Sequence, residues 1–521
     1  MLPVNTFATL LLLATATFSI DNLHANSPSP LPARGDIRDR NGIVLATDKP
    51  DPKDSSTTPP PRRYPFQSLA SHVLGAVTQP QPWQPPFGID GVEKMLNDDL
   101  ASTPAQTDHS NSGKSGQDVW LTIDARHQFI VENALRDANV GRGTAVLMDV
   151  TSGQIFAMAS LPSFDPNLFV PQISEATFEA YRRNPSIPML NRATTPFTPG
   201  ASFMLVTALA AATSGHAIDV HACDGVFQAG SKSLPCWIRS KGGTHGQQTL
   251  DKAMENSCGL YFYGLTLSMG YDKIERLADL AGLRSKPGTG LPGEAAGFIP
   301  GPSWLKTQTS DLNAGSHSPW TDASSATNSV GSGRIAITPL HMTTIAATIA
   351  NGGTVWKPEL VRHVGEQETK LYRKTNSIQI SNLKDHGLSA EGLSIIREGM
   401  RKRTAKVTPS QAQLVPTING FSGTMVEYRK HPVLREYVRE RNCWYVCYAP
   451  ADKPQWALTV LVQHGRSGGD TSAPIAHRIL QDVSAVEAGA LKVEPKPLPP
   501  TPGHWELVDA VGFPGTKVEE K

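Results

Sequence analysis

The sequence predicts an α/β (α+β) protein with a central sheet covered by helices, and three observations lead there. Strand-like and helix-like runs alternate from Val119 to about Val483. The runs 143–150 and 153–160 flank the turn Thr151-Ser152-Gly153 and read as a β-hairpin. After the turn Pro199-Gly200, the stretch Ala201-Ser202-Phe203-Met204-Leu205-Val206-Thr207-Ala208-Leu209-Ala210-Ala211 is apolar all round, with no Gly or Pro, as expected of a helix buried in a core. The chain has 521 residues, enough for two or more domains. Lys+Arg number 48 against Asp+Glu 47, so no charge bias points to nucleic acid or to an anionic membrane. The counts of Gly (44) and Pro (42) indicate many loops and linkers.

In chain order, residues 7–20 form a short apolar run, nearer the ~7–15 residues of a signal-peptide core than the ~20 of a spanning helix. Residues 1–25 are therefore read as a signal peptide or short membrane anchor, with a buried structural helix as the alternative. Arg34-Gly35-Asp36-Ile37-Arg38-Asp39-Arg40-Asn41-Gly42-Ile43-Val44-Leu45-Ala46 places the hairpin turn Asn41-Gly42 between two β-type runs. A Pro/Ser/Thr/Asp linker occupies 51–63, and a Pro-rich tail follows Lys492 that composition predicts to be disordered over 491–521.

The run Arg34 to Ala46, with His72-Val73-Leu74-Gly75 and Gly88-Ile89-Asp90-Gly91-Val92-Glu93-Lys94, resembles the non-catalytic pedestal of class B penicillin-binding proteins, the peptidoglycan D,D-transpeptidases. Asn191-Arg192-Ala193, the Pro199-Gly200 helix entry, Leu291-Pro292-Gly293-Glu294, Ser329-Val330-Gly331-Ser332-Gly333 and Thr338-Pro339-Leu340 are similar to further stretches of that family, most like its penicillin-binding protein 2 branch. The resemblance implies a shortened pedestal over 26–115 and a transpeptidase-like domain over 116–490.

It also assigns three catalytic corners, and all three are altered. The family's S-x-x-K carries a nucleophilic Ser and a Lys one turn later; here those positions are Ala201 and Met204. Alanine has nothing to acylate, and a thioether takes up no proton near neutral pH. A one-residue slip offers Ser202, with Leu205 where the Lys should be. The second corner, S-x-N, is Ser257-Cys258-Gly259, which keeps the hydroxyl and loses the amide; a Ser in such a loop also reads as a turn or cap residue. The third, K-T-G-T, is Phe421-Ser422-Gly423-Thr424, which loses the cation and keeps two hydroxyls on one strand face. Ser257, Ser422 and Thr424 are thus the candidate ligand-binding residues, and ordinary strand hydroxyls are the alternative for the last two.

Five cysteines in an exported chain leave at least one unpaired. Cys443 and Cys447, four strand residues apart, would lie ~13 Å from each other, too far to bridge. Cys223 and Cys236 bracket a Gly/Ser-rich loop and are suited to pairing. Asp224, His245 and Cys258 are alternatively suitable zinc ligands, although Arg239 intrudes in the same segment. Otherwise no cofactor is expected.

Two functions follow. The first is a catalytically inactive homologue that acts as a binding or scaffold protein in peptidoglycan synthesis, with the stem peptide and cell-wall synthesis proteins as partners, no nucleic acid, and a periplasmic, membrane-associated location. The second is a D,D-transpeptidase or carboxypeptidase using Ser202 or Ser257 with another base. The corner positions and the binding of penicillin discriminate them.

Overall fold

A computed structural model of the chain describes residues 33–49, 62–79, 81, 85–101, 115–309, 319–366, 373–408 and 416–501. The expected signal peptide or anchor, most of the 51–63 linker and the tail beyond 501 lie outside these residues. No helix among the described residues is long and apolar enough to cross a membrane.

The central sheet has five antiparallel strands: β1 (Gly143–Asp149), β2 (Ile155–Leu161), β3 (Asn419–Lys430), β4 (Tyr437–Ala449) and β5 (Trp456–Gln463), in the order β3-β4-β5-β1-β2. Alternation along each strand sends side chains to two different cores. Ala145, Leu147, Cys443, Tyr445, Leu458 and Val460 share one core with helices α1 (Ala125–Asp137) and α7 (Ala473–Glu487). Val146, Met148, Trp444, Val446 and Phe421 share the other with α2 (Met204–Thr213) and α5 (Pro339–Asn351). Over β1, β2, β5 and residues 443–449 of β4 the sheet is thus covered on both faces, and these strands read as nearly continuous apolar runs because neither face meets water there. Helices α3 (Leu250–Asn256), α4 (Gly259–Met269) and α6 (Ala390–Val407) complete the side of the domain that borders the β3 edge.

The N-terminal hairpin forms as expected, with Ile37 opposite Ala46 and Gly42 at a φ of 91° in its turn. A buried charge cluster clasps its start. Arg34 Nε and Arg62 Nε each lie 2.7 Å from a Glu93 carboxylate oxygen, and Arg62 also reaches Asp48 at 3.1 Å. Burial pushes the Glu93 carboxyl up, and the two guanidiniums outweigh it and hold it below the ordinary value. The two stretches that resemble a pedestal, around Arg34 and Glu93, are therefore held to each other by ion pairs as well as by apolar contact.

Two features depart from the sequence reading. The strand Val119–Leu121, placed above at the start of the transpeptidase-like region, pairs with Ile37–Arg38 and Val361–Val364 in a separate five-stranded sheet, so that sheet crosses the expected boundary at 115/116. The start of the expected disordered tail is pinned down: Leu498 O accepts from Ser68 N at 3.0 Å, Pro499 O from Arg136 at 2.9 Å, and Thr501 N donates to Ser163 Oγ at 3.1 Å. Proline-rich composition disfavours regular structure without preventing an extended segment from bonding to a neighbouring surface.

Candidate functional site

The first corner is built by a turn and two anchors. Gly200 takes a φ of 54°, and a Cβ there would lie 2.7 Å from Thr424 O, so only glycine fits. Its N–H donates to Gly331 O at 3.1 Å, and Thr207 Oγ1 donates to Ser329 O at 2.7 Å, which gives the Ser329-to-Gly331 stretch its supporting role. Arg192 donates to Gln463 Oε1 at 2.9 Å and to Ser186 O at 2.6 Å, fixing the approach to the turn. One 3₁₀ turn, Gly200–Phe203, leads directly into α2. Ala201 lies half-buried in that turn, while Met204 is 3% exposed and belongs to the core beneath the sheet. Ser202, the alternative nucleophile, is wholly buried, and its hydroxyl donates to Pro199 O at 2.8 Å.

The third corner lies on β3, the edge strand, as expected. Phe421 is 0% exposed and shares the Met204 core. Two side chains that would be cationic in the family pattern are therefore both buried apolar groups, and on this side the corner is filled. Gly423 is needed for close approach: a Cβ there would lie 2.4 Å from Ser202 N and 2.8 Å from Pro199 O. Ser422 and Thr424 point the other way. Ser422 is buried, and its Oγ accepts from Arg403 Nε and Nη2 at 3.1 and 2.9 Å. Thr424 is exposed and its Oγ1 accepts from the Gly468 N–H at 2.9 Å. Each hydroxyl is thus already an acceptor for a group of the chain itself, Ser422 in a buried position and Thr424 in an exposed one with its own O–H still to donate.

Arg403 is the site residue that the motif reading missed. It projects from α6, donates through Nη1 to Glu255 O at 3.1 Å, and so ties β3 to the end of α3, two residues before Ser257. Burial pulls its pKa down to about 10, still well above neutral, so it remains a guanidinium. The only sequence signal for it was the cationic run Arg401-Lys402-Arg403 on a helix, which reads equally well as a solvated face. Lys402 indeed pairs with Asp251 on α3.

At the second corner, Ser257 caps α3 in the left-handed conformation, with φ and ψ both 49°, and its N–H donates to Met254 O. Ser257 is thus the C-terminal cap residue of α3 through its backbone. Gly259 opens α4, and the Tyr263 hydroxyl stands 3.3 Å from where its Cβ would be.

Beside this corner four ligand-type side chains converge. Cys223, Cys236, His245 and Cys258 bring one ligand atom each to within 4.8 Å of the others, with His245 Nδ1 3.5 Å from Cys223 Sγ and 3.6 Å from Cys236 Sγ. Zn–S of about 2.3 Å and Zn–N of about 2.0–2.1 Å at tetrahedral angles give an S···N separation of about 3.6 Å, so the donor set and its spacing fit zinc. The hydrogen bond from Cys258 pulls the Cys236 thiol down to about 5, and the same contact together with burial raises Cys258. The set differs from the one named from sequence. Asp224 is exposed and outside the cluster, while Cys223 and Cys236 are both free thiols rather than a pair and complete it. The pairing of Gly246–Gln248 with His221–Cys223 brings these distant residues together, which their spacing alone did not show. Arg239 is exposed. Trp237, on the same loop, donates its Nε1–H to Asn256 O and Ser257 O at 3.0 and 3.1 Å, so the loop bears directly on the second corner. Cys443 and Cys447 are buried free thiols on β4, as their spacing required.

A buried helix entering behind a Pro-Gly turn, against the edge strand of an antiparallel sheet covered on both faces, defines an α/β protein of the transpeptidase-like class. Residues 143–481 match the penicillin binding protein transpeptidase domain, and the chain belongs to that family, as a class B penicillin-binding protein. It is similar to the peptidoglycan D,D-transpeptidase MrdA of Acinetobacter baumannii, 27% identical over 79% of this chain and 64% of that protein. The stage V sporulation protein D of Bacillus subtilis is 26% identical over 81% of this chain and 63% of its own length. The chain thus spans less than two thirds of these two curated relatives. Among solved structures, penicillin-binding protein 2 of Pseudomonas aeruginosa superposes with a TM-score of 0.72 at 26% identity, covering 89% of this chain and 97% of that one. A complex of penicillin-binding protein 2 with MreC from Helicobacter pylori superposes at 0.71 and 20% identity, covering 88% and 98%, a likeness of fold.

Proposed function

We propose that this chain is a non-acylating penicillin-binding protein homologue that serves peptidoglycan synthesis by binding. The observation that carries the reading is that Met204 and Phe421 are both buried apolar members of one core, with Ala201 half-buried against it: these are the positions where the family pattern has its two cations and its nucleophile. Ser202 offers no substitute, since its hydroxyl is buried and engaged with Pro199 O. Ser257 carries no neighbouring base in the family pattern, and a neutral hydroxyl is a poor nucleophile. The partners that suit the reading are a stem peptide and cell-wall synthesis proteins in the periplasm, at or near the inner membrane. The MreC complex of the Helicobacter protein is the kind of assembly meant.

Zinc belongs to the same proposal as a structural ion held by Cys223, Cys236, His245 and Cys258. Four protein ligands leave no open position for substrate, so its part would be to fix the loop that carries Trp237 against Asn256 and Ser257.

The test is incubation with a fluorescent penicillin. No covalent label is expected on the unmodified protein, and slow labelling or none on the double variant Ala201→Ser with Met204→Lys, because Gly259 and Phe421 remain. A stable adduct mapped by mass spectrometry to Ser202 or Ser257 of the unmodified protein would overturn the reading in favour of a rewired enzyme.

A further inference from the structure

Strands β3 and β4 pair without interruption from Asn419↔Tyr448 to Lys430↔Tyr437, but β5 covers β4 only from Asn442 onward. Beyond that point the two strands continue as a two-stranded ribbon past the edge of the sheet. Its two faces differ in chemistry. On one, Glu427 accepts from Thr198 Oγ1 at 2.6 Å and from Asn442 Nδ2 at 2.8 Å, and the buried Glu440 pairs with Arg142 at 2.9 Å. The acids of the strands are thus spent on anchoring the ribbon to the domain. The other face carries the cross-strand pairs Val426↔Arg441, Tyr428↔Arg439 and Lys430↔Tyr437. Tyr428 is 72% exposed and Tyr437 77%, and Lys430 and Arg439 are exposed beside them. The two tyrosines are diagonal neighbours, ~7–8 Å apart along the ladder. The stripe runs on from Thr424 at the third corner, since positions two apart on a strand share a face.

Two tyrosines standing in water among three cations are poorly explained by stability alone. Cross-strand pairs of this kind return only a small stabilisation to a ribbon that is marginal by itself, and Tyr with Arg is the pair enriched where proteins bind partners. We propose that this ribbon face is a docking surface for a peptidoglycan glycan strand: the Tyr428 and Tyr437 rings lie against the apolar C–H faces of successive sugars, and Lys430, Arg439 and Arg441 meet the carboxylates of the attached peptides. Charge complementarity selects an anionic occupant, and two flat rings side by side select one with ring faces to cover. The stripe's start at Thr424 adds a route from the polymer's peptide to the third corner. This rests on the reading that the chain serves the cell wall, but not on the loss of acylation.

The experiment is co-sedimentation of the full chain with purified peptidoglycan sacculi, with phosphatidylglycerol vesicles as a parallel arm. The unmodified protein is expected to pellet with sacculi, and less so at high salt. The variants Tyr428→Ala/Tyr437→Ala and Lys430→Glu/Arg439→Glu are expected to lose about tenfold in bound fraction while keeping the unmodified melting temperature, which their exposure allows. Arg183→Glu, an exposed charge on the helix Glu175–Arg183, should pellet like the unmodified protein. Ribbon variants that bind sacculi normally would overturn the assignment and leave the wider cell-wall reading intact. Unmodified protein that pellets with vesicles and not with sacculi would overturn both this assignment and the wall-binding reading. Neither outcome depends on the penicillin result.

Discussion

Phe421 stands where the family resemblance expects a lysine, and its side chain is part of the core. A lysine at this place would require a cleft that supplies water or a counter-charge. A phenylalanine requires the opposite, and its full burial in the core that also holds Met204 returns roughly 2–3 kcal/mol of apolar transfer. The substitution Phe421→Lys should therefore destabilise the protein by about 3 kcal/mol or more, read as a fall in the urea midpoint, because the ammonium would enter a core with no partner. Phe421→Leu should cost less, near the ~1.5 kcal/mol of a modest hydrophobic change. If Phe421→Lys is as stable as the unmodified chain, the corner is open and the filled description fails. Arg403→Ala should cost ~1–3 kcal/mol by leaving Glu255 O and Ser422 without their donor, with no effect on penicillin labelling.

The N-terminal elements depend on buried charge more than on their own propensity. The pedestal segment has only short strands and helices, and its Arg34–Glu93–Arg62 cluster is what joins them. Removing one partner leaves the others buried and unmatched, so Glu93→Gln and Arg34→Ala should each cost about 3–5 kcal/mol. Limited proteolysis would report whether that loss opens the N-terminal part first. The Glu93 carboxyl is held below its ordinary value in the fold, so its contribution is complete above the unfolded carboxylate range near pH ~4.3 and is lost only as pH falls through the lower folded value. The loop of Cys223, Cys236 and His245 is the element that the zinc proposal concerns. Protein purified without chelator should contain one zinc per chain by elemental analysis. Chelation should lower the melting temperature, and Cys236→Ser should lose the metal; metal-free protein with unchanged melting would reject the zinc proposal.

Acid sensitivity is a property of the whole molecule because its buried imidazoles are spread across it. His72 in the N-terminal part, His341 on α5 and His477 on α7 are each pushed down to about 4, in every case chiefly by burial. His72 Nε2 is set 2.7 Å from Pro188 O, and His341 Nε2 3.0 Å from Ser285 O. A folded value below the unfolded ~6.5 means that the native state prefers the neutral ring. The stability these groups confer is therefore complete above pH ~6.5 and is lost as pH falls from ~6.5 toward 4, by on the order of 1.4 kcal/mol per unit for each fully buried ring. Urea midpoints measured at pH 7, 5.5 and 4.5 should fall across this window. A flat profile would mean that the rings are already protonated or reached by water.

The sheet hairpins and the buried helix behind Pro199-Gly200 were legible in the sequence alone, as was the alignment of positions 201, 204, 259 and 421 with the corners of the family resemblance, because those signals are local: turn chemistry, strand and helix periodicity, and a motif read position by position. So was the separation of Cys443 and Cys447, since strand rise alone sets their distance. Packing in three dimensions was needed to bring Arg403 of α6 to Ser422, to join Cys223 and Cys236 with His245 and Cys258 in place of Asp224, to pair Val119–Leu121 with the N-terminal hairpin, and to return the chain as far as Thr501 to Ser68 and Ser163. Each of these is a contact between segments far apart in the chain, fixed by how helices and strands pack. No window of neighbouring residues contains that information.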